Sequence, residues 1–316
     1  MTLESSKPEI SVLIPYFKSL KTLPAQLDAL AAQDDPPLFE VLVADNERAD
    51  HLNEVAERYH NRLQIRVIDA YQARGVGPAR NRAVQESRGE YIAFCDSDDI
   101  VAPHWLSSLI EILRESDVLA TGPLRLDSLN SEPVWRAFLN IENGTAVARP
   151  VLLNPFTYLN YERFAYGCNI AIRRETYLRL GGMDVSLLGG SEDVEFSWRA
   201  IENGVRIEVA PNAIVNYRLR SEPAGILRQK RNYMRSQVHL WAKSRQIGRP
   251  VRGMSFRWAV TQTVKLLPSY IRSRRGGNLK RLQFAHQAGG ILGNLEGQVR
   301  FRIAGGWARK ESNNKN

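Results

Sequence analysis

The run Asp96-Ser97-Asp98-Asp99 carries three carboxylates within four residues and directly follows the apolar segment Tyr91-Ile-Ala-Phe-Cys95. Clustered carboxylates repel one another unless a cation lies among them, and hard divalent ions such as Mg²⁺ prefer carboxylate and phosphate oxygens. An ion held there can bind a diphosphate and stabilise it as a leaving group. The alternative is a solvated turn in which Asp98 or Asp99 caps the next helix. The apolar strand before the run favours the cation site.

Two further segments could contact a nucleotide. Asp45-Asn46 ends another apolar run, where it could bind a base or ribose or form an ordinary strand-to-helix turn. The segment Gly75-Val-Gly-Pro-Ala-Arg-Asn81 predicts a glycine turn that opens a helix, with Arg80 one turn in, and helix N-termini bind phosphate. It lacks the dinucleotide-binding fingerprint and the P-loop Lys-Ser/Thr ending, which argues against a nicotinamide oxidoreductase and a P-loop NTPase.

Acidic residues also begin a helix predicted over 192–203. Ser191 can be its N-cap, and acidic side chains in the first turn suit the helix dipole. The functional alternative makes Asp193 a general base, because a carboxylate near a helix N-terminus is expected to stay ionised and to accept a proton at neutral pH. The chain has no Gly-x-Ser-x-Gly elbow, which argues against an α/β-hydrolase.

The first half of the chain alternates short apolar runs with helical patterns. Strands are predicted at 10–16, 39–44, 63–68 and 91–95, and helices at 21–32, 52–60, 78–87 and 103–114. This alternation is typical of a parallel, doubly wound α/β sheet. Ligands of such sheets bind outside the carboxyl ends of the strands. Because Pro15-Tyr16, Asp45-Asn46 and Asp96–Asp99 all follow strands, we expect a nucleotide site at that edge.

The middle of the chain, 117–220, is less regular. Here the pattern predicts a short helix ending at Gly181-Gly182, a loop over 140–165, and strands at 118–121, 134–138, 168–173, 205–209 and 213–217.

The charge is unevenly distributed. Residues 221–316 contain 20 Lys and Arg but only 3 Asp and Glu, a net charge of +17, whereas the rest of the chain has a net charge of −8. A basic tail of this kind seeks a membrane surface, a nucleic acid or a phosphorylated substrate. The alternative is a solvated helical face.

The tail is predicted to be mostly helical, with helices over 225–246 and 254–273. Ala285, Gly289, Gly293 and Gly297 then recur at a spacing of four, which on a helix gives a flat stripe of small residues. Such a stripe lets two helices approach closely, as in a homodimer. The alternative is an irregular segment, since each glycine inside a helix costs about 1 kcal/mol.

The composition excludes several classes of protein. With 316 residues, 43% hydrophobic and 24% charged, the chain is that of a folded protein and not of a disordered one. Its two cysteines, Cys95 and Cys168, exclude a disulfide scaffold and suit a reducing, cytoplasmic compartment. The longest uncharged run covers 282–295, which is short of the roughly 20 residues of a spanning helix. We therefore expect the protein to lie on a bilayer and not across it.

Together these segments resemble a family 2 glycosyltransferase of the GT-A fold. The resemblance implies a GT-A catalytic domain over residues 1–220, an α/β unit with a Rossmann-like mixed sheet. It leaves 221–316 as a basic, mainly helical region for membrane docking or oligomer contact. The matching segments occur in the family's order: Ser11-Val-Leu-Ile-Pro-Tyr16, Val41-Leu-Val-Ala-Asp45, Gly77-Pro-Ala-Arg-Asn81, Tyr91–Asp99, Gly167-Cys-Asn-Ile-Ala171, Gly181-Gly-Met-Asp184, and Ser191-Glu-Asp193 with Arg199.

The resemblance implies an inverting, hexosyltransferase-type transfer of a sugar from a nucleotide-diphosphate donor to an acceptor hydroxyl. Asp193 matches the catalytic base. Asp98 and Asp96 match the Asp-x-Asp pair that binds Mn²⁺ or Mg²⁺. Asn169 and Glu192 match positions near the donor sugar and the acceptor. The positions that match the nucleotide-binding set are Pro15, Tyr16, Asp45, Arg80 and Asp96.

The resemblance also implies a glycan or lipid-linked acceptor from cell-surface polysaccharide synthesis, and a peripheral position on the inner face of the cell membrane, without a nucleic-acid partner. Two departures matter. The segment 213–217 lacks the late metal-binding histidine of many GT-A enzymes, which puts the metal requirement in doubt. The Gln-x-x-Arg-Trp motif of processive synthases is missing, which predicts one sugar per encounter. The alternatives are a non-catalytic partner subunit and a nucleic-acid-binding protein that uses the basic tail.

Overall fold

The computed structural model describes residues 7–147, 150–153 and 156–303. Most helices lie where the sequence predicts them, but the second half contains more short strands than expected. The helices are α1 (Leu23–Ala31), α2 (Leu52–Glu57), α3 (Val76–Glu86), α4 (Trp105–Glu115), α5 (Glu132–Leu139), α6 (Arg174–Arg179), α7 (Glu192–Glu202), α8 (Pro223–Gln246), α9 (Phe256–Thr263), α10 (Leu266–Arg275) and α11 (Gly277–Gly297), with a π-helical segment over Gln298–Ile303. The strands are β1 (Ile10–Tyr16), β2 (Phe39–Asp45), β3 (Gln64–Asp69), β4 (Tyr91–Phe94), β5 (Ile100–Val101), β6 (Leu119–Thr121), β7 (Leu124–Arg125), β8 (Val151–Leu152), β9 (Phe156–Thr157), β10 (Arg163–Phe164), β11 (Ile170–Arg173), β12 (Ile207–Val209) and β13 (Val215–Asn216).

The central sheet has seven strands in the order β12-β6-β11-β4-β1-β2-β3. Strands β1 to β4 are parallel, and Tyr16 at the end of β1 pairs with Asp45 at the end of β2. The strands of the first half are thus parallel, as their alternation with helices predicts, whereas β11 runs antiparallel to both of its neighbours. The sheet is mixed, as the GT-A resemblance implies, and its parallel half brings the carboxyl ends of β1, β2 and β4 to one edge.

Apolar clusters on both faces hold this sheet in place. One face packs on α1, α2 and α4, with Trp105 completely buried, and the other packs on α3, α6 and α7, with Phe196 completely buried. Both cysteines are buried and unpaired, as predicted. A smaller sheet in the order β5-β13-β7-β8 begins just after the acidic run that follows β4. The two sheets therefore flank the loop that carries the carboxylates.

Residues 134–138, predicted as a strand, belong to the helix α5. Pro133 occupies the first turn, where its missing N–H costs nothing. Glu132 and Arg136 form an i,i+4 ion pair at 2.7 Å. An apolar run of five residues fits either type of element, and the flanking proline and ion pair favour the helix. The predicted loop 140–165 contains the three short strands β8 to β10, and its residues 148, 149, 154 and 155 lie outside the described residues.

The helix predicted over 254–273 is divided into α9 and α10. Pro268 lacks an N–H and cannot bond to the carbonyl of Val264, so a continuous helix would lose that hydrogen bond. Within the described ranges, no helix is long and apolar enough to span a bilayer.

The small-residue stripe packs inside the chain. Helix α11 is continuous, so the irregular alternative is wrong, and its glycines lie against the backbone of α8. A Cβ at Gly289 would lie 2.6 Å from the carbonyl oxygen of Leu227, and one at Gly293 would lie 2.2 Å from that of Arg231. The predicted homodimer contact through this stripe is therefore wrong, because α8 already occupies it.

The predicted boundary at residues 220 and 221 lies just before α8, but apolar clusters cross it. Leu126 and Trp135 share one cluster with Leu282, and Trp198 shares another with Leu240. The helical region is thus packed onto the preceding part of the chain. Residues 304–316 of the predicted tail lie outside the described residues.

Candidate active site

The loop after β4 is held by two arginines that follow β13. The carboxylate of Asp99 is buried, and its Oδ1 accepts a hydrogen bond from the backbone N–H of Arg218 at 2.7 Å. The Nε of Arg218 donates to the carbonyl oxygen of Asp98 at 2.7 Å, and Nη2 of Arg220 lies 3.2 Å from Oδ2 of Asp98. The position expected for a late histidine is therefore followed by two cations that contact the acidic loop.

The carboxylates of this loop lie close enough to raise one another's pKa. Burial, followed by the charge of Asp96, raises the pKa of Asp98. Burial and the charges of both neighbours raise the pKa of Asp99 well above its usual value. The buried Oδ2 of Asp99 has no hydrogen-bond partner among the described residues. A cation bound at this loop would therefore lower the electrostatic free energy of the folded protein.

One group of side chains has donor atoms close enough together for a metal ion. It consists of Asp96, Asp99 and Cys168, with one ligand atom from each lying within 4.8 Å of the others. Burial raises the pKa of the Cys168 thiol well above its usual value, so it stays neutral and is a poor ligand for a hard ion. The two carboxylates and the unpartnered oxygen of Asp99 fit Mg²⁺ or Mn²⁺. Asp98, the expected ligand, pairs with Arg220 instead, and its role as a ligand stays a prediction.

Arg80 connects the acidic loop to the start of α7. Its guanidinium is buried, and it donates to Oδ1 of Asp96 at 2.8 Å and to Oε1 of Glu192 at 3.2 Å. The side chain lies against Gly167, where a Cβ would come within 2.4 Å of Nη1. Arg80 is predicted to lie near the nucleotide, and its carboxylate partners place it at the carboxyl edge of the sheet. Its contact with a nucleotide stays a prediction.

The start of α7 differs from the capping pattern expected of it. Ser191 occupies the N-cap position, but with a φ of 71° and without a side-chain cap hydrogen bond. Glu192 is buried. The Oδ2 of Asp193 accepts a hydrogen bond from the N–H of Gly167 at 2.9 Å, and its Oδ1 accepts one from the N–H of the following residue at 2.8 Å. Backbone donors therefore fix the orientation of the Asp193 carboxylate.

Burial changes the ionisation expected at this helix start. It raises the pKa of Glu192 to about 7, with the neighbouring charge of Asp193 as the next cause. It also raises the pKa of Asp193, although hydrogen bonds from Gly167 and the charge of Arg80 act in the opposite direction. Burial thus opposes the effect expected from the helix N-terminus, and the ionisation of Asp193 at neutral pH stays a prediction. A raised pKa makes a stronger base.

The ends of β1 and β2 are more enclosed than a ligand-contacting role suggests. Tyr16 is 1% exposed, and burial with help from Glu47 raises its pKa to about 12. Pro15 is half-buried. The carboxylate of Asp45 accepts three backbone N–H hydrogen bonds at 2.9–3.0 Å from residues 47–49. This geometry is that of the strand-to-helix turn that the sequence left open. The nucleotide contacts of Pro15, Tyr16 and Asp45 stay predictions.

Asn169 lies behind the site. It is completely buried, and its Oδ1 accepts a hydrogen bond from the indole N–H of Trp105 at 2.9 Å. Its Nδ2 donates to the carbonyl oxygen of Ala213 at 2.8 Å. The side chain therefore joins α4 to the segment before β13 and does not face the cleft. The resemblance implies that Asn169 lies near the donor sugar. In this structure both polar atoms of its amide form hydrogen bonds within the protein.

Four residues of the site had no assigned role in the sequence analysis. Asp99 was considered as one of three clustered carboxylates or as a helix cap but was not named as a metal ligand, and its place as the third acid of the run was the signal. Arg218 and Arg220 are basic residues just after the strand at which a histidine is missing. Gly167 opens a family motif, but its close approach to Arg80 depends on a contact between residues 87 positions apart.

Two family profiles match this chain. The profile described as "Glycosyl transferase family 2" matches residues 11–181, and one described as "N-terminal domain of galactosyltransferase" matches 151–221. The Staphylococcus aureus protein TarS, a poly(ribitol-phosphate) beta-N-acetylglucosaminyltransferase, is 27% identical over 218 residues, which is 68% of this chain and 36% of TarS. The chain thus spans about a third of the length of this curated relative.

A second relative matches over most of both chains. Glycosyltransferase AglE of Haloferax volcanii is 26% identical in sequence, and the alignment covers 84% of this chain and 85% of AglE. Among solved structures, the mannosyltransferase PcManGT from Pyrobaculum calidifontis, in complex with GDP-Man and Mn²⁺, superposes with a TM-score of 0.55. The superposition covers 95% of this chain and 76% of PcManGT at 20% sequence identity. The two proteins therefore share the GT-A fold.

Proposed function

Because this chain belongs to glycosyl transferase family 2, we propose that it transfers a sugar from a nucleotide-diphosphate sugar to an acceptor hydroxyl, with inversion and one sugar per encounter. The observation that carries the proposal is the position of Arg80. Its buried guanidinium contacts Asp96 of the acidic loop and Glu192 beside the base Asp193. A donor bound at the acidic loop and an acceptor bound at the start of α7 would thus both lie beside Arg80.

Asp193 is the general base of the proposed reaction. Its carboxylate removes the proton of the acceptor hydroxyl, and the oxygen attacks the anomeric carbon on the face opposite the diphosphate. The bond from that carbon to the diphosphate breaks, and the nucleoside diphosphate leaves, so a single displacement inverts the configuration. Hydrogen bonds from Gly167 and the following residue hold the carboxylate in place. The raised pKa of Asp193 strengthens it as a base.

The donor occupies the carboxyl edge of the sheet in this proposal. Pro15, Tyr16, Asp45 and Arg80 bind or position the nucleotide, and Asn169 supports the wall behind the sugar. Asp96 and Asp99, with Asp98 beside them, would hold Mn²⁺ or Mg²⁺. When bound, such an ion neutralises the diphosphate and stabilises its departure. Arg220 adds a further positive charge beside Asp98.

The acceptor is proposed to be a hydroxyl on a glycan or lipid-linked intermediate of cell-surface polysaccharide synthesis. The name of the relative TarS specifies a poly(ribitol-phosphate) acceptor. This supports a polymeric or carrier-linked hydroxyl compound as the class of acceptor. Glu192 lies beside Asp193 and is proposed to face the acceptor side of the site.

A ligand screen tests the donor half of this proposal. The full chain is heated with UDP, GDP, dTDP or CDP, each with and without Mn²⁺, and the unfolding temperature is measured. A ligand at about 100 times its dissociation constant stabilises the folded state by about 2.7 kcal/mol, which is readily detected. One nucleotide should stabilise the protein more than the others, and more with Mn²⁺. If none of them stabilises it, the chain is not a nucleotide-sugar enzyme, and a non-catalytic subunit is the better reading.

A further inference from the structure

Helices α9 and α10 and the short segment between them expose several large apolar side chains, which together we call the α9–α10 face. Val264 is 77% exposed and Leu267 is 67% exposed. On their other side the helices are anchored to α11, where the ring of Tyr270 packs 5.5 Å from that of Phe284 and the hydroxyl of Ser269 lies 2.6 Å from Oε1 of Gln287. The face consists of Trp258, Val260, Val264, Leu267 and Ile271.

Cations surround this face, and acidic residues are absent from the whole stretch 223–295. In α8, Arg231 and Arg235 both pair with Glu296, and Lys243 pairs with Asp184. The exposed basic side chains of α9 and α10 are Arg257, Lys265, Arg272, Arg274 and Arg275. The face therefore combines large apolar side chains with exposed basic ones, although Glu142 lies near enough to Arg272 for the two charges to interact.

We propose that the α9–α10 face docks on the surface of an anionic phospholipid bilayer. Amphipathic helices of this composition lie in the interface, with aromatic and aliphatic side chains among the acyl chains and Lys and Arg at the headgroups. A nucleic acid would use the cations but would gain nothing from Val264, Leu267 and Ile271. A protein partner would need a matching acidic rim. An anionic bilayer would bind both the apolar side chains and the cations of the α9–α10 face.

This assignment narrows the predicted membrane region from 221–316 to two short helices. The stripe of small residues on α11 packs on α8 and is therefore unavailable for docking. Helix α8 also contacts the loop before α7, where the hydroxyl of Ser236 donates to the carbonyl oxygen of Gly190. The docked helices are thus joined through α11 and α8 to the site. The advantage of docking, access to a lipid-linked acceptor, rests on the proposed function, whereas lipid binding itself does not.

Vesicle sedimentation of the full chain, without donor or acceptor, tests the proposal. The wild type should sediment with vesicles of phosphatidylcholine and phosphatidylglycerol at about 0.1 M salt, and much less with phosphatidylcholine alone. About 1 M salt should release part of it, because the Debye length falls from about 10 Å to about 3 Å. Removing Arg272, Arg274 and Arg275 together by substitution with Gln should weaken binding by about fivefold per cation.

A second set of variants tests the apolar side chains of the α9–α10 face. Val264→Ser with Leu267→Ser should lower the salt-resistant binding by about tenfold, whereas the control Leu153→Ser, at an equally exposed leucine outside the face, should leave it unchanged. Unfolding temperatures confirm that the variants fold. Equal binding to both kinds of vesicle, equal loss in the control, or a lipid-free oligomer that the face variants dissociate would overturn the proposal. Because no sugar transfer is measured, failure here and failure of the catalytic proposal are distinguishable.

Discussion

Arg220 lies with its Nη2 3.2 Å from Oδ2 of Asp98, so a side-chain cation is paired with the acidic loop. The two side chains are partly exposed, which limits the free energy of the pair to a fraction of a kcal/mol up to about 1 kcal/mol. A metal ion near Asp98 must therefore displace or tolerate a competing positive charge. The pair offsets part of the repulsion among the three carboxylates of the loop.

Removal of that arginine should strengthen metal binding. In Arg220→Gln, the affinity for Mn²⁺ alone should rise about two- to fivefold, because an ion pair worth up to about 1 kcal/mol no longer competes. Free Mn²⁺ can be measured by electron paramagnetic resonance. The control is Arg206→Gln, which breaks an exposed pair with Glu208 outside the loop. Unchanged or weaker Mn²⁺ binding in Arg220→Gln would show that the arginine does not compete with the ion.

Asp98→Asn should abolish sugar transfer by weakening the binding of metal and diphosphate together. Loss of electrostatic stabilisation of a leaving group lowers turnover by about 10²–10³-fold. The measurement is the release of nucleoside diphosphate together with donor affinity in the presence of Mn²⁺. Asp50→Asn, at an exposed position of the α2 region, is the control. Wild-type turnover with unchanged donor affinity in Asp98→Asn would remove Asp98 from the metal site.

Asp193→Asn should remove transfer and leave donor binding nearly intact, because the base acts on the acceptor. The amide oxygen of asparagine can still accept the hydrogen bond from the N–H of Gly167, but its NH₂ group cannot accept the one from the following residue, so the unfolding temperature of the variant is measured as well. Donor affinity is measured by calorimetry and transfer by product formation. A loss of donor affinity as large as the loss of transfer would place Asp193 on the donor side of the site.

Glu192 should make the folded protein less stable as the pH rises. Its pKa is raised from 4.5 to about 7 on folding, so between these values the folded state holds a proton that the unfolded state releases. The stabilisation is complete below about pH 4.5 and is lost as the pH rises through about 7. From pH 5 to pH 8, the unfolding temperature of the wild type should therefore fall relative to that of Glu192→Gln. A difference that is constant over this range contradicts the raised pKa.

Two glycines of α11 give a matched pair of variants. Gly293→Ala should destabilise the protein by about 1–3 kcal/mol, because its Cβ would lie 2.2 Å from the carbonyl oxygen of Arg231 and α8 must move. Gly290→Ala should be neutral or stabilising by up to about 1 kcal/mol, since its Cβ meets only the end of Met234 at 3.9 Å. Denaturant unfolding compares the two. Equal stabilities, or a change of oligomeric state without destabilisation in Gly293→Ala, would contradict the packing of α11 on α8.

The sequence by itself determined the α/β architecture and the edge at which the site lies. The strands β1, β2 and β4 are continuous apolar runs, and the helices between them have helical periodicity, so local patterns were sufficient. The parallel pairing of these strands then brings Tyr16, Asp45 and Asp96 to one edge. The separation between the acidic body and the basic tail could also be read directly from residue counts.

Only the tertiary structure decided the partners of the charged groups. Arg80 contacts Asp96 and Glu192 across 16 and 112 positions of sequence, and no local pattern encodes such a contact. The direction of the pKa shift of Asp193 depends on desolvation by the whole surrounding fold, which opposes the helix-terminus effect visible in the sequence. The stripe of α11 was visible as spacing, but spacing does not say which helix fills it. The stripe packs against a second surface, that of α8. The two surfaces come together only when the chain folds.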